Sequence, residues 1–271
     1  MARQPGVKLG GRGLGSGLLR AVGLLLLCGL SLQLYFVARI GLMAVVAPQS
    51  TTFQRSEIRR LAVHKHPVAW SQAWVDDSRI ADNLKRAVIA SEDAGFIEHS
   101  GVEWDALEKA WEKNQRAEAA AERRQAQIDK RPAAAAAAGA RLRPVVEPKL
   151  VGGSTISQQL AKNLFLSGER TALRKAQEFV LTLTLEALLG KRRILEIYLN
   201  NVEWGEGIFG AQAAARYYFR TDAARLDSAA AARLAVMLPA PKRFANNPGS
   251  AYVSGRAATI SARMGAVALP R

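Results

Sequence analysis

The sequence predicts a mainly α-helical domain carried behind a single N-terminal membrane helix. Three observations lead there. An uncharged, leucine-rich stretch runs from Ala21 to Ala38. From Ile80 onward apolar residues recur at intervals of three and four, with no sustained alternation of period two. A chain of 271 residues with 49% hydrophobic content can bury one substantial core and carry appendages besides.

The N-terminal elements come first. Arg3, Lys8, Arg12 and Arg20 precede the apolar stretch without one acidic residue, so the positive-inside rule keeps residues 1–20 in the cytoplasm. At about 1.5 Å per residue, residues 21–46 suffice to cross a hydrocarbon layer of about 30 Å. Arg39 is the only charge within those limits, and near the far end it can reach the interface. Residues 47–271 then face outward. A cleaved signal peptide is the alternative, but the apolar run exceeds the usual core of about 7 to 15 residues. Cys28, the only cysteine, lies inside the span, which excludes disulfides, a cysteine zinc site and a thiol nucleophile from the outward domain. A net charge of +15 and a pI near 10.5 call for an anionic partner. An outward-facing domain would not meet DNA, which leaves an acidic membrane surface or a phosphorylated ligand.

Helices are expected over Asn83 to Ala90 and over Val102 to Trp111, the latter with Trp104, Leu107 and Trp111 on one face. Between about residues 115 and 149 the composition turns to alanine, arginine, glutamate and glutamine, with prolines at 132, 144 and 148. That segment reads as a flexible low-complexity insert. Thr155 and Gln158 have capping-box spacing for a helix to about Leu166. The next helix, Ala172 to Leu189, carries Leu173, Ala176, Val180, Leu183 and Ala187 on one face and stops at Gly190. Ile194 to Leu199, Ala211 to Phe219, and Ser228 to Leu238 behind an Asp227 cap complete the expected core.

Three segments could carry chemistry. In Ser91 to Gly101, helical spacing would bring Glu92, Phe96 and His99 toward one face, and a carboxylate beside an aromatic can be desolvated into a stronger base. In Gly152 to Leu166, a glycine turn feeds a helix N-terminus suited to an anion, with Gln158, Gln159 and Lys162 within one turn. In Arg170 to Glu178, Arg170, Arg174 and Lys175 could neutralise a pyrophosphate, with Glu178 as a second carboxylate or their orienting partner. Each has a plainer reading: surface acids, an ordinary capped helix, a helix ion pair worth about 0.3–0.5 kcal/mol.

Together, in this order, Glu-Asp-x-x-Phe-x-x-His from Glu92, Gly-Gly-Ser-Thr-Ile-x-Gln-Gln-Leu-x-Lys-Asn from Gly152, Arg-Lys-x-x-Glu from Arg174 and the helix Arg193 to Asn200 resemble the peptidoglycan glycosyltransferase family, from about Ile80 to Pro241. The segments 201–205 and 216–219 resemble its monofunctional branch in Gram-negative bacteria. The resemblance implies a lysozyme-like helical domain with a small membrane-facing jaw, polymerising lipid II into a glycan chain at the outer face of the cell inner membrane. It implies that Glu92 is the general base for the acceptor 4-hydroxyl, and that undecaprenyl pyrophosphate leaves with inversion to a β-1,4 link. Glu178 matches the family's second carboxylate. Asp93, Phe96, His99, Ser154, Thr155, Gln158, Gln159, Lys162, Asn163, Arg170, Arg174 and Lys175 match substrate-binding positions.

No metal site is expected from the spacing of His64, His66 and His99, and no tightly bound cofactor; Mg2+ or Mn2+ can accompany the substrate pyrophosphate. Neither Ser-x-x-Lys nor Lys-Thr-Gly occurs, so cross-linking falls to a separate transpeptidase among other cell-wall synthesis partners. Two other readings compete: a lysozyme-like lytic glycosidase, and a non-catalytic membrane-anchored scaffold. The basic second and third segments speak against the first, because hydrolysis of a neutral glycosidic bond needs no anion site.

Overall fold

The computed structural model describes residues 13–64, 69–129, 153–169 and 171–271. It divides into a unit ending at Ala47 and a domain from Pro48 to Arg271. The first unit is built on α1, Gly13–Leu42, which contains a 26-residue stretch long and apolar enough to cross a membrane. It starts before Ala21 because the glycines and leucines of residues 13–19 continue the same helix. Arg39 donates to the Tyr35 hydroxyl one turn earlier, at 3.2 Å. The basic tail before residue 13 lies outside the described residues.

In chain order the domain comprises α2 (Thr52–His64), β1 (Ser71–Gln72), α3 (Asp82–Glu92), α4 (Trp104–Asp129), α5 (Ile156–Phe165), α6 (Ala172–Leu188) and α7 (Lys191–Asn201). There follow β2 (Glu203–Gly205), β3 (Ile208–Phe209), α8 (Ala211–Phe219), α9 (Ser228–Met237), α10 (Pro241–Ala245) and α11 (Ala251–Met264). α3 packs against α9 and α11 through Leu84, Val88, Leu234, Val253 and Ile260, all shielded from water. α5 lies against α2, α6 and α7, and α7 is buried continuously from Ile194 to Asn201. These two packed groups hold the ends of α3 and α5, where the first two motifs meet.

α2 and α11 were not foreseen. The inner face of α2 is Gln54, Glu57 and Leu61, so its burial leaves almost no apolar period to read. The helix starts on a reciprocal pair: the Gln54 amide N–H donates to Thr51 Oγ1 at 3.0 Å, and the Thr51 N–H to Gln54 Oε1 at 2.9 Å. The small sheet, in order β1-β3-β2, was not foreseen either. β1 runs parallel to β3 with Ser71 opposite Ile208, and β2 runs antiparallel to it. Strands of two or three residues have no alternation to detect. Where β3 passes into α8 the backbone runs close against the end of α7 at Gly210, whose φ is +83° and where a Cβ would stand 2.6 Å from the Asn200 carbonyl oxygen.

Two apolar stripes read from the sequence face outward. α4 continues through the first half of the insert, to Asp129; the remainder, from residue 130 to 149, lies outside the described residues. Trp104 and Trp111 are about two-thirds exposed, at 63% and 66%, with Trp104 touching the Phe179 ring at 6.0 Å. On α6 the stripe Leu173, Val180 and Leu183 points outward, while Glu178, Leu181, Thr182 and Leu185 face the interior. Amphipathic spacing found both stripes but cannot tell a face that meets the core from one that meets another apolar medium.

Candidate active site

Glu92 is the last residue of α3. The chain then turns, so Phe96 and His99 do not continue a helical face with Glu92. Asp93 ties this turn to the second motif. Its Oδ2 accepts the Ile156 amide N–H at 3.0 Å, and its Oδ1 accepts from His99 Nε2 at 2.8 Å. The Gly101 N–H donates to His99 Nδ1 at 3.1 Å, which leaves the proton of the neutral ring on Nε2, facing Asp93.

Thr155 extends the clamp by donating to the Gly101 carbonyl at 2.6 Å. It caps α5 as the sequence spacing requires: Thr155 Oγ1 accepts the Gln158 N–H at 3.2 Å, and Gln158 Oε1 accepts the Thr155 N–H at 3.1 Å. Phe96 is fully buried and meets the edge of His99 at 6.4 Å. Asp93, Phe96, His99, Thr155 and Gln158, matched to substrate-binding positions, make these contacts within the protein, where they join α3 to α5.

The open side of this frame holds Glu92. Gln159 Nε2 donates to Glu92 Oε2 at 3.1 Å, and the Tyr198 hydroxyl donates to Gln159 Oε1 at 2.9 Å, fixing which way the amide points. Ser91 Oγ stands 3.4 Å from Glu92 Oε1. Burial raises the Glu92 pKa, the hydrogen bonds from Gln159 and Ser91 oppose that rise, and the Asp93 charge adds to it. The result is a carboxylate more basic than an exposed glutamate. Tyr198 and Ser91 were absent from the expected site; a buried tyrosine in the middle of α7 gives no sign in the sequence that it orients a neighbour.

A group of cations adjoins the base. Glu178, 3% exposed, pairs with Arg174 Nη1 at 3.1 Å and with Lys175 Nζ. It is the shared counter-charge of two cations rather than an open carboxylate. Arg174 Nε is buried without a hydrogen-bond partner among the described residues. Lys162 reaches the surface of the cleft, yet protein crowded about its ammonium lowers its pKa; Glu178 and Glu92 oppose the shift, and Arg174 and Lys175 add to it. Arg174 and Lys175 share one buried carboxylate, and Lys162 stands within reach of its charge, an arrangement that an anion would complete. Asn163 is half-buried and lines the same cleft, and the half-buried Ser154 gives its carbonyl to Gln159 at 3.4 Å. Arg170 lies outside the described residues.

Asp93, His99 and Glu103 have ligand-type atoms within 4.8 Å of one another, a grouping that the histidine spacing did not disclose. They do not fit a cation. With the Gly101 N–H on Nδ1, His99 carries its proton on Nε2 and has no lone pair to give at that atom.

Comparison with known proteins agrees with this geometry. The profile described as Transglycosylase matches residues 60–124 and 132–265, breaking inside the alanine-rich insert and reaching past Pro241 to take in α11. A biosynthetic peptidoglycan transglycosylase of Paraburkholderia phytofirmans is 45% identical over 242 residues, covering 89% of this chain and 88% of its own. One from Burkholderia thailandensis is 48% identical over 241 residues, covering 89% and 83%. One from a Janthinobacterium species is 46% identical over 242 residues, covering 89% and 92%. With most of its domain matched by the profile and relatives 45–48% identical over 89% of its length, the chain belongs to the transglycosylase family.

Proposed function

We propose that this chain is a peptidoglycan glycosyltransferase that polymerises lipid II into β-1,4-linked glycan strands. The observation that carries the reading is the juxtaposition of Glu92, oriented through Gln159 and Tyr198, with the cations Lys162, Arg174 and Lys175. A base and an anion site side by side suit a reaction in which a hydroxyl loses a proton while a pyrophosphate departs. The Glu92 carboxylate takes the proton of the acceptor 4-hydroxyl. The freed oxygen forms its bond to the donor anomeric carbon as the bond to the pyrophosphate oxygen breaks. The leaving group keeps that electron pair, and the cations stabilise its charge.

Attack and departure on opposite faces of the sugar give inversion, as in the inverting glycosidases. The Glu178 carboxylate holds Arg174 and Lys175 toward the leaving group. A divalent cation, if one assists, travels with the pyrophosphate; Asp93, His99 and Glu103 do not hold it.

The setting is supported by α1 and the outward apolar stripes. A helix able to span the membrane, preceded by a basic tail, supports a domain on the outer side of the inner membrane. Trp104 and Trp111 on α4, and Leu173, Val180 and Leu183 on α6, expose apolar surface of the kind a bilayer interface accepts. A lipid-linked substrate is met there. Purified chain supplied with labelled lipid II is expected to build glycan polymer; protein that degrades sacculi but leaves lipid II unpolymerised would overturn the reading.

A further inference from the structure

The cleft does not end at the cations. A cavity of about 400 Å3 lies between α2, the C-terminal half of α5, β2 and the start of α10. Gln159 and Lys162 border both it and the Glu92 site. Phe53, Leu166, Leu238 and Pro241 give it apolar walls, and Glu203 contributes a carboxyl group.

That carboxyl is out of place for a purely structural residue. Glu203 is 6% exposed, and its Oε1 has no hydrogen-bond partner among the described residues. The one ammonium nearby, Lys242 Nζ, stands 3.7 Å from Oε1, beyond hydrogen-bond distance, and donates instead to Glu57 Oε2 at 2.7 Å. Arg60 is likewise taken, bridging Glu57 and Glu206 at 2.9 and 2.8 Å. Burial pushes the Glu203 pKa up to about 7, with Lys242 opposing. Glu57 feels the same pressure from burial, but the hydrogen bonds of Arg60 and Lys242 outweigh it and hold its pKa low. Two carboxyls thus share one lysine, and only one of them is satisfied.

A buried carboxyl without a donor costs on the order of several kcal/mol, so its place in a folded protein is explained when something else supplies the hydrogen bond. The rest of the cavity indicates what. Apolar walls that can cover the C–H face of a ring, with a side-chain amide at Asn163 and a carboxyl at Glu203, form a set matched to a neutral saccharide. A phosphate group would meet the Glu203 and Glu57 charges instead.

We propose that Glu203 is a substrate-binding residue: a saccharide unit of the lipid-linked substrate occupies this cavity and donates a hydroxyl or amide hydrogen to the Glu203 carboxyl, with Lys242 as its counter-charge. The proposal rests on the glycosyl-transfer reading above. The test compares lipid II polymerisation by the detergent-solubilised full chain with that of Glu203→Leu and Glu203→Gln, alongside their unfolding temperatures. Glu203→Leu is expected to raise KM for lipid II about tenfold with kcat within about twofold. Its unfolding temperature is expected to be equal or higher, because a buried carboxyl lacking a hydrogen-bond donor has been exchanged for an apolar side chain. Glu203→Gln keeps a carbonyl acceptor and is expected to recover KM to within about threefold of the wild type.

A Glu203→Leu chain with wild-type KM, or one that unfolds at lower temperature, would overturn the assignment while leaving the glycosyl-transfer reading in place. Wild-type protein unable to polymerise lipid II would overturn both.

Discussion

Replacing Asp93 by asparagine separates a residue that builds the site from one that touches substrate. Asp93 accepts two donors, the Ile156 N–H and the His99 Nε2–H, and is 4% exposed. Asparagine offers one carbonyl oxygen and one NH2. If its oxygen faces Ile156, the NH2 meets His99 Nε2; moving the ring proton to Nδ1 then sets that proton against the Gly101 N–H. If the amide is flipped, the NH2 meets the Ile156 N–H instead. Either way one buried donor loses its acceptor, at about 1–3 kcal/mol. For a domain of this size each kcal/mol lowers the unfolding temperature by about 2–4 °C, so Asp93→Asn should unfold about 2–12 °C below the wild type.

The same change removes a negative charge that raises the Glu92 pKa. The acidic limb of the polymerisation rate should therefore move toward lower pH. Thermal unfolding followed by intrinsic fluorescence, with lipid II kinetics on the same preparation, reads both effects. An unchanged unfolding temperature together with a raised KM would refute the clamp and restore Asp93 as a substrate ligand.

Three further expectations follow from the same contacts. Gln159→Leu withdraws the N–H that stabilises the charged form of Glu92, so the Glu92 pKa rises further and the acidic limb of a pH–rate profile shifts to higher pH; an unmoved limb would contradict the pairing. Arg174→Gln removes one of the two cations on Glu178 together with the unpartnered Nε–H. A fall of about 10–100-fold in kcat/KM for lipid II is expected, with weaker inhibition by inorganic pyrophosphate as the independent check. Gly210→Ala forces a side chain into φ +83° and against the Asn200 carbonyl, and should destabilise the domain by at least about 1–3 kcal/mol in denaturant titration.

What could be read from the sequence was what leaves a local mark. α8 falls at Ala211–Phe219 as expected, and the Thr155–Gln158 capping box and the Asp227 cap are present, because each depends on residues within a few positions of one another. α2 left no such mark, since tertiary contacts bury Gln54 and Glu57 on its inner face. α11 did leave one, in Val253, Ala257, Ile260 and Met264 at helical spacing, beyond the point where the recognised motifs end.

Motif wording located the site but could not divide its labour. The wording Asp-x-x-Phe-x-x-His reads the same whether its polar atoms meet a ligand or, as here, the Ile156 and Gly101 amides. The roles of Tyr198, Ser91 and Glu203 arise from contacts across the fold, and no spacing in the chain announces them.

The account depends above all on Glu92 acting as the base, and polymerisation of labelled lipid II by Glu92→Gln beside the wild type tests that most directly. The substitution keeps the size and planarity of the side chain while removing its capacity to take a proton, so a folded variant should lose at least about 100-fold in rate. A correctly folded Glu92→Gln protein that polymerises lipid II at close to the wild-type rate would contradict the account.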